Sequence, residues 1–191
     1  MSVSKQTLKS ETVINQLAEK EKRWFAVYTK YKCEKYVAEH LGKKQIEVYL
    51  PIITKTKRYT RKVKKYDVPL INCYVFVYID KGQYLPTLET EYVLKFLRQG
   101  KDLLAIPPSE IEILKRVSGD VEEVEAIDRH SPEPGEAVEV VSGHLAGMRG
   151  KILAKAGKKS FLVELKSIGF QLSINIDLKM LRTIEQNILK V

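Results

Sequence analysis

Cysteine is nearly absent from this chain. Cys33 and Cys73 are the only two in 191 residues, far apart, with no CxxC pair. That count excludes a disulfide framework and a cysteine zinc site, and both thiols are expected to act as small buried hydrophobes. Histidine is as scarce. His40, His130 and His144 are scattered along the chain, so no metal-ligand spacing arises and no metal is expected. No apolar run approaches the roughly 20 residues of a membrane helix. Residues 1–23 lack the apolar core of a signal peptide. Cytoplasmic residence and no membrane partner follow as expectations. No phosphate-binding glycine loop, nucleophile–histidine–acid set or carboxylate pair stands out. The chain reads as a non-enzyme without a cofactor, so function has to be sought in its surfaces.

What is abundant is positive charge. The net charge is +9, and it is unevenly placed. Residues 1–117 hold 23 basic and 13 acidic side chains, residues 118–134 one and six, and residues 135–191 nine and five. Two basic modules joined by an acidic linker is the natural reading. Basic modules suit an anionic partner, most often nucleic acid. The extreme case is Lys55 to Tyr66, KTKRYTRKVKKY, with seven Lys/Arg and no acid. It feeds into the strand Tyr74 to Ile79, where Tyr74, Phe76 and Tyr78 share one face and Val75, Val77 and Ile79 the other. Strand aromatics are more often core than interface, so that face has two readings.

Residues 1–22 are polar with a weak apolar set, Val13, Ile14 and Leu17, and read as a frayed helix or a disordered extension. Trp24 to Thr29 reads as a strand. Lys32 to Lys44 reads as a helix with Cys33, Tyr36, Val37, His40 and Leu41 on one face and Gly42 near its end. Glu47 to Ile52 is a second strand, and the basic run a hairpin projecting into solvent. Gln83 to Glu91 is a short helix, and Tyr92 to Leu97 another strand. A helix starts at Pro107, with Ser109 and Glu112 spaced as a capping box. The predicted N-terminal domain, residues 23–117, is therefore α+β, an antiparallel sheet flanked by helices. Residues 118–134 read as an extended, mobile acidic linker. In 135–184, four short strands punctuated by Gly143, Gly147, Gly150 and Gly157 suggest a small all-β SH3-like barrel. Leu178, Leu181, Ile184 and Ile188 are spaced for a helical turn running into a tail, residues 185–191.

These residues resemble a known family. Trp24-Phe25-Ala26-Val27-Tyr28-Thr29-Lys30, Glu34-Lys35, Tyr49-Leu50-Pro51, Val68-Pro69-Leu70 and Tyr74-Val75-Phe76-Val77 follow, in order and spacing, the N-terminal (NGN) signature of NusG-family transcription elongation factors. Gly135 to Val138 and Gly143 to Gly150 resemble the KOW motif. The resemblance covers roughly residues 23–184. Two departures stand out: Asn72-Cys73 where the family usually has Pro-Gly or Pro-Asn, and Gly143-His144-Leu145 where it has Gly-Pro-Phe. The long basic ribbon and the form of the N-terminal motif look more like the operon-dedicated paralogs RfaH, UpxY and LoaP than the housekeeping factor.

The resemblance implies that the NGN domain binds the clamp helices of RNA polymerase through a concave apolar surface. It then bridges the DNA cleft, reduces pausing and promotes antitermination. Tyr28, Ile71, Tyr74 and Phe76 stand at the matching positions, and Phe76→Asp is expected to abolish polymerase binding while the fold survives. Lys30 and Lys32 match a region facing the non-template strand, although an ordinary solvated face explains them as well. Lys57, Arg58, Arg61, Lys62 and Lys64 are expected to touch that strand or nascent RNA. Ile168, Gly169 and Phe170 loosely match the contact through which KOW domains bind a small-subunit ribosomal protein or a termination factor. A stable barrel without a fold switch, and a monomer, are expected. The competing readings are a ribosome-associated KOW RNA-binding protein and a nucleic-acid-processing enzyme.

Overall fold

The computed structural model describes residues 15–120, 124–128, 135–155 and 158–184. Residues 1–14 and 185–191, and with them most of the expected extension and the tail, lie outside the described residues. Residues 15–22 have no helix. They are tied to the first domain instead. Gln16 N–H donates to the Leu103 carbonyl, its side-chain oxygen accepts from Ala105 N–H, and the Ala18 carbonyl accepts from Lys81 N–H.

The first domain is built on a four-stranded antiparallel sheet in the order β2-β5-β1-β6. Its strands are β1 (Arg23–Thr29), β2 (Glu47–Tyr49), β5 (Tyr74–Ile79) and β6 (Val93–Phe96). The β1–β5 register pairs Phe25 with Val77 and Tyr28 with Tyr74. Both central strands are covered on both faces, as their two-sided apolar pattern requires. Phe25, Val27, Val75, Val77 and Ile79 meet Val37 and Leu41 of α1 (Glu34–Lys43). Trp24, Ala26 and Phe76 belong with Ile111, Leu114 and Val117 of α3 (Pro108–Asp120) to the second core cluster. Helix α2 (Tyr84–Leu88) lies at the β6 edge, with Tyr84 stacked on Phe96 at 4.7 Å.

Gly42 lies in the last turn of α1, as expected, and the helix closes through Gln45. Gln45 is left-handed at φ 59°, its N–H donates to the Gly42 carbonyl, and Ile46 N–H donates to the Leu41 carbonyl. That is a Schellman closure, sealed by buried Leu41 and Ile46. At α3 the expected capping box does not form. Ser109 lies inside a helix that begins at Pro108, where the fixed proline φ suits the first helical position.

Strands β3 (Ile52–Tyr59) and β4 (Lys62–Pro69) form a separate two-stranded ribbon, as the basic run predicts. Of the acidic segment expected as a linker, residues 121–123 and 129–134 lie outside the described residues, and the described part carries regular structure. Helix α3 extends to Asp120, and Val124–Asp128 forms β7, an edge strand paired with β11 (Phe170–Ile174). The β7 register places Val124 opposite Ile174 and Ala126 opposite Leu172. Val124 is buried, so an apolar anchor among acids fixes the strand.

The second domain is a six-stranded antiparallel sheet in the order β12-β8-β9-β10-β11-β7. Besides β7 and β11 it contains β8 (Ala137–Val140), β9 (Arg149–Lys155), β10 (Lys158–Leu165) and β12 (Leu181–Thr183). This is consistent with a KOW/SH3-like domain. A Cβ on Gly150 would sit 2.2 Å from the Leu162 carbonyl oxygen, so close strand approach requires glycine there. Gly147 takes φ 81° in the preceding turn. The expected helical turn after Leu178 is a single 3-10 turn over Leu178–Met180 that leads into β12. No described helix is long and apolar enough to cross a membrane.

Candidate protein and nucleic-acid interfaces

The aromatic face of β5 continues across the sheet. Tyr74 meets Tyr28 edge-on at 5.1 Å, Phe76 lies against Tyr49 at 6.4 Å, and Tyr78 against Trp24 at 5.2 Å. Tyr28 and Tyr74 are half-buried, whereas Ile71 and Phe76 are 1% and 0% exposed. Burial of Phe76 changes the meaning of Phe76→Asp. An aspartate there places an unpaired carboxylate in the core, which disrupts the fold before any interface is tested. Tyr74 is the better probe.

The second domain contributes to the cover over Tyr74. Phe170 of β11 stands edge-on to Tyr74 at 5.5 Å and 82°. Two polar contacts accompany it, both from α3. Glu110 Oε1 accepts from Ser167 N–H at 3.2 Å and from Ser167 Oγ at 3.1 Å. Arg116 donates to the His144 carbonyl at 2.8 Å and to the Ala146 carbonyl at 2.8 Å. Ile168 is buried and Gly169 takes φ 74° in the same turn. The residues predicted to face polymerase and those predicted to face a KOW partner therefore meet each other. Sequence reasoning did not identify Glu110 and Arg116, since nothing local to either residue signals a partner in the second domain.

Tyr74 is presented by an unusual turn. Cys73 is left-handed at φ 64°, at the position where the resembled family has glycine or asparagine. Its N–H donates to Glu34 Oε1 at 2.7 Å, and its carbonyl accepts from Thr29 N–H at 2.8 Å. Glu34 is 3% exposed, which makes it a built-in anchor. Neither cysteine is fully buried, contrary to expectation, because both sit at turns rather than in the sheet. Beside this turn Lys30 and Lys32 are exposed. Lys30 Nζ lies 5.8 Å from the Tyr92 ring centre and Lys32 Nζ 5.3 Å from that of Tyr31. Tyr36 donates to Glu91 Oε2 at 2.7 Å. That bond, more than burial, pushes the Tyr36 phenol up to about 12.

The ribbon brings the other predicted basic residues together. Lys57 pairs across it with Lys64, Arg58 with Val63 and Tyr59 with Lys62, while Arg61 lies in the connecting turn. All are exposed, and none takes part in an ion pair among the described residues. Among the described residues no group of His, Cys, Asp or Glu could hold a metal ion.

Comparison with known proteins places this architecture. Residues 22–115 match the family model "NusG: Transcription termination factor nusG". No curated protein matches the chain. Among solved structures, "Domain interaction in Thermotoga maritima NusG" is similar at 20% identity, covering 86% of this chain and 98% of that one with a TM-score of 0.56. Two conformations of an MjSpt4:Spt5 complex align at 20% identity over 85% of this chain, with TM-scores of 0.31 and 0.30, covering 97% and 98% of those chains. The first likeness supports the two-domain fold, and the family match over 22–115 identifies the first of those domains as a member of the NusG family.

Proposed function

We propose that this protein is a transcription elongation factor whose first domain binds the clamp helices of RNA polymerase. Bound there, it bridges the DNA cleft, reduces pausing and promotes antitermination of particular operons. The observation that carries the reading is the aromatic pair Tyr28–Tyr74 within a NusG-family domain. Aromatic side chains concentrate interface energy, and this pair is held by a turn the chain takes trouble to build, through buried Glu34. The basic ribbon lies alongside as the nucleic-acid contact, reaching non-template DNA or nascent RNA, with Lys30 and Lys32 as a second positive patch. The length and charge of the ribbon favour a specialised paralog over a housekeeping factor. The barrel, through Ile168, Gly169 and Phe170, takes a further partner once it leaves Tyr74; a ribosomal protein or a termination factor fits that role.

The test is retention on purified core RNA polymerase. The full chain is expected to be retained, and Tyr74→Ala to reduce retention at least tenfold while its circular dichroism stays unchanged. Truncating an interface aromatic of this kind costs about 2 kcal/mol or more. Equal retention of the variant removes Tyr74 from the interface. No retention of the wild type moves the reading to the ribosome and its RNA.

A further inference from the structure

The ribbon has two unlike faces. Residues opposite each other in an antiparallel pair project to the same side, and successive pairs alternate. The register therefore puts Lys55 with Tyr66, Lys57 with Lys64, and Tyr59 with Lys62 on one face. The other face carries Thr54 with Asp67, Thr56 with Lys65, and Arg58 with Val63. Two side-chain contacts agree with this division. Lys57 Nζ lies 5.2 Å from the Tyr59 ring centre, and Thr54 donates to Asp67 Oδ1 at 2.7 Å. The first face is four lysines and two tyrosines. The second has its acid paired and its only large apolar side chain is Val63.

Tyr59 is 46% exposed and Tyr66 39% exposed. Neither is needed by the core. The pairs that carry them are four residues apart along each strand, which places the rings about 14 Å apart at the usual rise. A purely electrostatic grip on phosphate has no use for two aromatic rings on the charged face. Exposed rings alternating with cations are what an unpaired strand uses, because its bases are free to stack while its phosphates meet the lysines. A duplex keeps its base faces covered and offers the rings nothing.

We propose that the Lys55–Lys57–Tyr59–Lys62–Lys64–Tyr66 face of the ribbon binds an unpaired polynucleotide strand, stacking bases on Tyr59 and Tyr66. It reads phosphate charge and base faces, which RNA and DNA share. The proposal refines the nucleic-acid contact in the function proposed above and rests on it for the biological setting, but it is testable without polymerase.

The experiment is a fluorescence-anisotropy titration of the full chain against short labelled oligothymidylate, its uridine counterpart and a duplex of matched length, over a salt series. Both single strands are expected to bind alike and the duplex more weakly. With four lysines engaged, the log–log salt slope is expected near −3, from about −0.7 per phosphate. Tyr59→Leu and Tyr66→Leu should each lose between about fivefold and a hundredfold in affinity with the slope unchanged, the range for one stacked base. Tyr59→Phe and Tyr66→Phe should keep it. Lys57→Gln with Lys64→Gln should flatten the slope by about 1.4, and Arg58→Gln on the opposite face should cost less than Lys57→Gln. The proposal is overturned by leucine variants that bind like wild type, by a duplex that binds as tightly, or by a strong preference for one sugar. Polymerase retention separates the two readings. Strand binding through both tyrosines without retention upholds this face and removes the polymerase reading; retention without strand binding does the reverse.

Discussion

Cys73 holds a backbone conformation its side chain does not favour. A left-handed residue with a Cβ costs about 1–2 kcal/mol, and Glu34 offsets this by accepting the Cys73 N–H from a buried position. Cys73→Gly is expected to raise stability by about 0.5–1 kcal/mol, the relieved strain less the backbone entropy of glycine. Urea unfolding checks this, and a loss of stability refutes it. Glu34→Ala should act in the opposite sense. It strands the N–H and costs about 1–3 kcal/mol. The departure at Asn72-Cys73 was legible in the sequence, because a turn that needs left-handed backbone prefers glycine. Its remedy was not, since Glu34 lies 39 residues away in the chain and nothing local to either residue announces the pairing. Gln45 shows the same limit. Gly42 marked the neighbourhood of the helix end, yet Ile46 had to reach buried Leu41, and that packing put the left-handed residue at Gln45.

Elements were most legible where their pattern is strongest. Strand β5 and the ribbon follow from two-sided apolar alternation and from a dense charge run. Strand β7 was hidden because its acids at Glu125 and Asp128 match a linker composition, and only pairing with β11 reveals the role of Val124. A consequence can be measured. A fragment covering 119–191 is expected to be about 2 kcal/mol more stable than one covering 135–191, which loses the burial of Val124 and leaves β11 an open edge. Both should give a β-type circular dichroism spectrum, because glycine-punctuated, β-branched strands gain nothing from helix. Equal stability removes β7 from the barrel's cooperative unit; a mainly helical spectrum from either fragment contradicts the barrel as the resting fold.

At the scale of the whole molecule, two surfaces that sequence reasoning assigned to two outside partners cover one another. Tyr74 and Phe170 share an edge contact, and Glu110 and Arg116 fasten the barrel to α3. Sequence could assign each surface but not their mutual occupancy, which depends on how two domains dock. Under the function proposed above, polymerase binding through Tyr74 would compete with the protein's own second domain, and apparent affinity would scale with the fraction of molecules in which the domains are apart. Each fastening is a hydrogen-bonded contact of about 1 kcal/mol, more where a charge takes part. Removing both, in Glu110→Ala with Arg116→Ala, is expected to raise the open fraction and tighten binding to core polymerase by about tenfold to a hundredfold. The isolated domain, residues 15–117, should already bind at that higher affinity, and Glu110→Ala within it should change nothing, because the partner it released is gone. If the full wild-type chain binds as tightly as the isolated domain, docking is too weak to regulate access. If the double variant tightens binding while Tyr74→Ala still weakens it at least tenfold, the barrel acts as a lid over the same aromatic surface that the polymerase takes.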